Sequence, residues 1–266
     1  MRKNAWLALG LGLALVSGRA AVADVWDIQT QNDNSSATEN ELVMGSDQLH
    51  DLGGPPLPDE DWYTLSQKPF SSYEATGDST SGDIGATLAV DRVDAGGTVL
   101  QASQPVGVGY TVSLRWANQT AAEVNSEFIR VTSSGCTTNC SGDDVYRIRF
   151  DDTTYSIPRF NNFGTQTTVL LLQNPTNYTI NGTIYFWDVS GVQVASTPID
   201  GPSAGLGLAP KELQVLITAN VPGANGVGGS VTIAHDARYG DLAGKTVALE
   251  PATGFSFDSP MLPRIH

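Results

Sequence analysis

The 266-residue sequence has few of the residues from which catalytic and metal centres are most often built. It contains three His and two Cys, and neither the His-Glu-x-x-His zinc motif nor a Walker phosphate loop occurs in it. Basic residues are also few, with 14 Lys and Arg against 28 Asp and Glu, which gives a net charge of −14. A negative field of this size repels phosphate backbones and anionic lipid surfaces, so nucleic acid is excluded as an expected partner.

Long apolar runs are missing too, except for a short one near the start. Two basic residues precede an apolar run at positions 5–16, and Ala21–Ala23 supplies the small residues that a signal peptidase recognises. This arrangement predicts a secretory signal peptide over residues 1–23. No later segment reaches the ~20 apolar residues of a membrane-spanning helix. We therefore expect a secreted or periplasmic protein without a membrane span.

Short runs of β-forming residues, separated by clusters of Gly, Pro, Asn, Asp and Ser, dominate the rest of the chain. Within residues 110–116 the pattern alternates, which would place Tyr110, Val112, Leu114 and Trp116 on one face of a strand. No amphipathic stretch of helical length is present, so the sequence predicts an all-β protein. Strands are predicted at Trp62–Leu65, Ala86–Asp91, Tyr110–Trp116, Glu127–Val131, Asp144–Phe150, Thr168–Gln173, Gly182–Val189, Leu213–Thr218 and Gly229–His235.

A polar segment with one proline, Asp151–Arg159, follows a predicted strand near the middle of the chain and is predicted to be a hinge. The lengths on either side are each close to that of one sandwich domain. We therefore predict two antiparallel β-sandwich domains, a jelly-roll-like one over residues 24–152 and an immunoglobulin-like one over residues 153–266. The second assignment rests on architecture alone.

The two cysteines, Cys136 and Cys140, are separated by three residues. In an exported chain this spacing predicts a disulfide that closes a tight loop. A zinc site would need further Cys or His ligands nearby, and the redox motif has two intervening residues.

Three features of the first half occur in a recognisable order. They are a polar, Asn-rich lead-in at residues 32–40, the sequence Asp61-Trp62-Tyr63 after an acidic stretch, and a closing strand at 144–149. Over about residues 28–150 the chain thereby resembles the bacterial pre-peptidase C-terminal domain. The insertion through His50 and the Pro-rich stretch 53–58 depart from the compact pattern of that family. The resemblance implies a β-sandwich that interacts with extracellular protein, polysaccharide or cell-surface material.

Some members of that family bind calcium through acidic and amide side chains of the lead-in together with the Asp before Trp. At the matching positions the resemblance implies Asn34, Glu39, Asp59 and Asp61 as calcium ligands. Calcium takes about 6–8 oxygen ligands, and this region has enough carboxylates and carbonyls to supply them. The alternative is that Asp61 caps a turn beside a core Trp and that the other acids are solvated.

The densest predicted strand of the second half, Thr183–Asp188, has aromatic residues on both faces. Ile184 and Phe186 would face one side, and Tyr185 and Trp187 the other. Such a strand is either covered on both sides or presents Tyr185 and Trp187 as an aromatic platform for a ligand.

A Ser-His-Asp triad can be written from Ser230, His235 and Asp241, but no nucleophile elbow surrounds Ser230, and a turn or hydrogen-bonding role for His235 is the alternative. We therefore expect an exported, non-catalytic binding or structural protein. Its partner would be an extracellular protein or a polysaccharide. The other candidate is a secreted hydrolase with a dispersed active site, and an orphan accessory domain from a secreted enzyme lineage is a third. The sequence does not fix the oligomeric state.

Overall fold

Antiparallel β-structure accounts for the fold, as a computed structural model of the chain shows. The structure describes residues 33–53, 59–82, 84, 87–105, 111–136, 140–202 and 205–264. The predicted signal peptide, residues 1–23, lies outside this range. Within it there is no α-helix, and one 3-10 helix spans Thr218–Asn220. None of the described residues forms a helix long and apolar enough to cross a membrane. The all-β prediction is confirmed.

The strands fall into two consecutive sets. The first set is β1 (Asp47–Asp51), β2 (Asp61–Thr64), β3 (Ser71–Ser79), β4 (Leu88–Asp94), β5 (Val99–Ala102), β6 (Gln104–Pro105), β7 (Thr111–Asn118), β8 (Glu127–Ser133) and β9 (Val145–Asp152). The second set is β10 (Tyr155–Asn161), β11 (Thr167–Gln173), β12 (Gly182–Asp188), β13 (Gln193–Pro198), β14 (Leu213–Ile217), β15 (Gly228–His235), β16 (Ala243–Glu250), β17 (Phe255–Pro260) and β18 (Leu262–Pro263).

Each set forms two sheets. In the first half of the chain the strand orders are β1-β9-β3-β7-β6 and β2-β8-β4-β5, and in the second half they are β13-β12-β15-β10-β18 and β14-β11-β16-β17. All pairings between these strands are antiparallel, for example β3 with β7 and β11 with β16. Two packed sheets with one apolar side each are the architecture of a β-sandwich.

A separate apolar core lies in each half. The alternation predicted from Tyr110 to Trp116 is confirmed for Val112, Leu114 and Trp116, which are all buried, whereas Tyr110 lies outside the described residues. They belong to a cluster that also contains Tyr63, Ile129 and Phe150. In the second half the cluster includes Ile157, Phe160, Leu170, Leu172, Ile184, Phe186 and Ile233. The repeat of apolar residues at every second position therefore identifies the core-facing side of the strands in both halves.

The segment predicted as a polar hinge is mostly strand. Between β9 and β10 stand only Thr153 and Thr154, which are both buried. Thr153 donates its backbone N–H to the Ser72 carbonyl at 2.8 Å, and Ser72 donates its own to Thr154 Oγ1 at 2.8 Å. Pro158 does not end the strand, because a proline can lie in a strand at a bulge. The β10–β15 register shifts between Ile157 and Phe160, where that proline stands.

Candidate functional site

Three buried side chains from three separate segments converge in the first half. Asp33 lies in the lead-in, His50 in β1 and Asp61 in β2, and their exposed fractions are 0%, 5% and 1%. One potential ligand atom of each, a carboxylate oxygen or an imidazole nitrogen, lies within 4.8 Å of the other two. Among the described residues this is the one group of three or more His, Cys, Asp and Glu with such a geometry.

Backbone hydrogen bonds hold the lead-in against β2 and so bring Asp33 to Asp61. Trp62 donates its N–H to the Asp33 carbonyl at 2.8 Å, and Thr64 donates to the Asn40 carbonyl at 2.8 Å. The Asn40 side chain also donates to Asp33 Oδ2 at 3.3 Å. The lead-in thus runs beside β2 as an added segment, which explains why a polar, Asn-rich stretch is ordered here.

Two tyrosines enclose the imidazole. The His50 ring meets Tyr63 edge-on at a centroid distance of 5.2 Å and stacks with Tyr146 at 5.9 Å. Tyr146 donates its hydroxyl hydrogen to Asp61 Oδ2, and the Tyr63 and Tyr146 hydroxyl oxygens are 2.5 Å apart. Burial, followed by the charge of Asp61, raises the pKa of Tyr146 well above its usual value. Tyr146 therefore stays protonated and acts as a donor to the carboxylate.

Two carboxylates that approach each other in a buried site repel unless a cation or a proton lies between them. A divalent metal ion satisfies this requirement and accepts both carboxylate and imidazole ligands. The nitrogen donor of His50 decides between metals, because calcium is bound by oxygen ligands whereas zinc and other first-row metals accept imidazole readily. The donors fit a divalent transition metal better than calcium.

Of the four predicted calcium ligands, only Asp61 belongs to the convergent group within the described part of the chain. Asn34 accepts a hydrogen bond from the Glu60 N–H at 3.2 Å, so it orders the approach to β2. Asp59 is buried, and Glu39 is exposed to solvent. The ligand set that the resemblance implies therefore stays a prediction.

Sequence reasoning missed Asp33 and His50. Asp33 is adjacent to the predicted ligand Asn34. The resemblance implies a ligand at Asn34 and none at Asp33. His50 lies in the insertion that departs from that pattern, and its pairing partner Tyr146 is far away in sequence. The sequence did offer a signal for His50, because it has only three histidines and one of them lies in this segment.

The predicted disulfide is present. Cys136 and Cys140 are bonded, with their Cα atoms 4.9 Å apart, within the range that disulfides require. Cys136 is fully buried in the first core and Cys140 packs against that core, so the bonded pair is anchored there.

The aromatic pair in β12 contacts the first half of the chain. The Phe70 ring lies 4.8 Å from Tyr185 and 5.2 Å from Trp187, measured between centroids. Tyr185 is buried, whereas Ile184 and Phe186 on the other face lie in the second core. This arrangement matches the alternative in which the strand is covered on both sides. It leaves little of Tyr185 available as an open ligand platform.

His235 is a fully buried residue of β15 and not an exposed base. Its Nδ1 accepts the Ala237 backbone N–H at 3.1 Å, and its ring stacks with Tyr155 at 5.3 Å. Burial lowers the pKa of His235 to about 4. Ser230 lies five residues earlier in the same strand, so roughly 17 Å separates the two along the chain. Asp241 accepts a hydrogen bond from the Tyr178 hydroxyl.

An open cleft of about 610 Å³ lies at one end of the second half. Its walls include Phe163, which is 54% exposed, and Arg159, whose guanidinium stacks on the Phe257 ring at 4.2 Å. Backbone at Gly228 and Gly229 forms part of the lining, and a Cβ at Gly228 would press on the Phe163 ring at 3.1 Å. An exposed aromatic ring beside an arginine and flat glycine backbone is a surface on which a ligand can stack.

Comparison of this chain with protein-family models and with curated proteins finds no match. The resemblance of the first half to the pre-peptidase C-terminal domain therefore stays a prediction.

Proposed function

We propose that this chain is an exported, non-catalytic binding protein whose first half is stabilised by a divalent metal ion. The observation that carries the proposal is the convergence of Asp33, His50 and Asp61 in a buried site. A metal held there joins the lead-in, β1 and β2, which are three consecutive segments of the first half. Metal binding to the folded chain alone stabilises it by mass action.

The burial of the donors favours a structural role for the metal. Structural metal sites are closed by protein ligands, whereas catalytic sites keep a position open to substrate. Here each donor residue is at most 5% exposed, and the Tyr63 and Tyr146 rings cover the imidazole. A metal in this position is shielded from any macromolecular substrate.

The buried state of His235 weighs against the secreted hydrolase. A general base must reach its substrate and have a pKa near the working pH, and this imidazole is fully buried with a pKa near 4. One Gly-x-Ser-x-Gly sequence does occur, at residues 201–205, although Ser203 lies outside the described residues. It falls between β13 and β14, whereas a nucleophile elbow joins a strand to a helix.

Export and partner class rest on other features. The signal peptide predicted at residues 1–23 and the Cys136–Cys140 disulfide are both typical of an oxidising compartment outside the cytoplasm. For the partner, an extracellular protein or polysaccharide, the cleft beside Phe163 supplies an exposed aromatic surface.

The metal is tested by thermal unfolding of the metal-stripped protein, followed by circular dichroism, with Zn²⁺, Mn²⁺ or Ca²⁺ added. At a free metal concentration 100-fold above the dissociation constant, binding stabilises by about 2.7 kcal/mol. For a chain of this length the midpoint should rise by about 5–10 °C. We expect Zn²⁺ or Mn²⁺ to exceed Ca²⁺, and EDTA to reverse the shift.

Variants separate the convergent group from the ligand set implied by the resemblance. Asp61→Asn and His50→Asn should remove the metal-induced shift, whatever their effect on the midpoint without metal. Glu39→Gln is the matched control, since Glu39 is an exposed acid of the same lead-in and should leave the shift intact. The proposal fails if no ion raises the midpoint. If Ca²⁺ alone raises it and Glu39→Gln abolishes the effect, the ligands implied by the resemblance are the correct ones.

A further inference from the structure

One sheet face of the second half is apolar at positions where an antiparallel sheet usually meets water. The sheet has the order β14-β11-β16-β17, and its outward side is called the apolar face below. Solvent-facing sheet positions are normally polar. The outward positions of β9 in the first half follow this rule, with Arg147 and Arg149 exposed. The apolar face instead presents Val169, Leu171, Leu213, Val215, Ile217 and Val247, and the uncharged polar residues Thr167, Gln173 and Ser256 lie at its two ends.

Strand register shows that these side chains form one continuous surface. Val169 of β11 pairs with Ile217 of β14 on one side and with Val247 of β16 on the other. Directly paired residues in antiparallel strands share a face. The intervening residues Leu170 and Leu172 are fully buried in the core. The apolar face is therefore the outer side of the sheet, with its own row of aliphatic contacts.

Several aliphatic side chains of this face are strongly exposed. Leu213 is 48% exposed, Val215 59% and Ile217 43%, and Leu249 at the other end of the face is 40% exposed. Monomeric proteins rarely leave contiguous apolar patches larger than a few hundred Å² in water. Burying such a surface against a partner removes this unfavourable hydration.

We propose that the apolar face is the interface of a homodimer, in which the faces of two copies pack together about a twofold axis. Charge favours a second copy as the occupant. The two charged residues that point outward on these four strands are Lys245 and Asp258, and they form a salt bridge with each other at 2.6 Å. In a chain of net charge −14 this face carries no net charge, so two copies can approach through it without bringing like charges together.

The area of the face is sufficient for a weak dimer. Four strands about 4.8 Å apart, with about six residues of ~3.4 Å each, give a face of about 400 Å². Two such faces, with the relief of their side chains included, bury about 1,000 Å² of accessible surface in total, which is near the lower limit of specific interfaces. Aligned packing of two sheets, at about 30° to each other, is a common way to pair such faces. We therefore expect dimerisation that depends on concentration.

Sedimentation equilibrium of the exported chain from about 1 to about 100 µM tests the proposal. The average mass should rise toward twice the monomer mass over this range. Val215→Glu places a charge at the centre of β14, the edge strand of the apolar face, and should weaken dimerisation at least about tenfold. Leu249→Gln, at the opposite end of the face, should weaken it as well. Both side chains are partly exposed already, and circular dichroism will check that each variant folds.

The matched control is Val192→Glu, which introduces the same charge at a valine with almost the same exposure, 58% against 59% for Val215, but in the turn between β12 and β13. It should leave the dissociation constant unchanged. The proposal is overturned if the wild-type chain stays monomeric at every concentration. In that case, if a hydrophobic dye binds the wild type and Val215→Glu suppresses this binding, a different protein is indicated as the occupant of the face. Equal weakening by Val192→Glu overturns it too, because net charge would then be the cause.

Discussion

Phe70 combines a favourable side-chain position with an unfavourable backbone conformation, and replacing it should separate the two effects. Its φ angle is 52°, in the left-handed region that residues with a Cβ seldom adopt. Its ring contacts Tyr185 and Trp187 across the two halves of the chain. The backbone is fixed in part by a hydrogen bond from the Phe70 N–H to the Thr120 carbonyl at 3.2 Å.

The magnitudes can be worked from these contacts. Two aromatic pairs contribute about 0.5–1.5 kcal/mol each. A half-buried Phe removes about 100 Å² from water, or about 2.5 kcal/mol. Phe70→Ala should therefore reduce the free energy of unfolding by about 3.5–5.5 kcal/mol. Phe70→Gly loses the same contacts but relieves the left-handed strain, by about 1–2 kcal/mol. The greater conformational freedom of glycine in the unfolded chain lowers the free energy of unfolding by about 0.4–1 kcal/mol.

The expected order of stability is wild type, then Phe70→Gly, then Phe70→Ala, with the two variants about 0.5–1 kcal/mol apart. This order reverses the usual preference for alanine. Urea unfolding followed by tryptophan fluorescence measures it, and a separation into two transitions would show that the halves have lost their coupling. Phe255→Ala, at a Phe that is 77% exposed, is the control and should change stability little. If Phe70→Gly is the less stable variant, the reasoning from backbone strain is wrong.

Two further predictions follow from single groups. Reduction of the Cys136–Cys140 bond, or replacement of both cysteines by serine, should lower the free energy of unfolding by about 2 kcal/mol, because the closed loop is so short. A decrease of more than about 4 kcal/mol, measured by urea unfolding, would contradict this estimate. His235 has its pKa lowered by burial from 6.5 to about 4, so the unfolded chain binds a proton between these values and the folded chain does not. The corresponding stability, about 3 kcal/mol, is present above pH ~6.5 and lost as the pH falls toward 4. In His235→Asn the slope of stability against pH between these values should flatten. An unchanged slope would show that His235 is not the group responsible for the loss of stability.

Strand positions could be predicted well where the alternation was regular. The expected strands at Glu127–Val131, Thr168–Gln173 and Gly229–His235 correspond to β8, β11 and β15 with ends shifted by a residue or two. The period of two is a local property, set by the backbone pleat and by one buried face. It was less informative at β10, where Pro158 suggested a break that a bulge accommodates.

The candidate metal site could be predicted only in part. Asp61 was identified because it stands directly before Trp62 in a recognisable sequence. Asp33 and His50 join it through the pairing of the lead-in with β2 and of β1 with β9, which no short-range pattern reports. The same limit applies to Tyr185 and Trp187, whose cover by Phe70 depends on how the two halves meet.

The sequence by itself determined the all-β class, most of the strands and the Cys136–Cys140 bond, because each depends on residues close together in the chain. Tertiary structure decided which buried side chains converge with Asp61 and that His235 is shielded and neutral. It also decided that one sheet of the second half turns an apolar face outward. Alternation fixes which residues share a face, but whether that face meets a core, water or another copy depends on packing between distant segments.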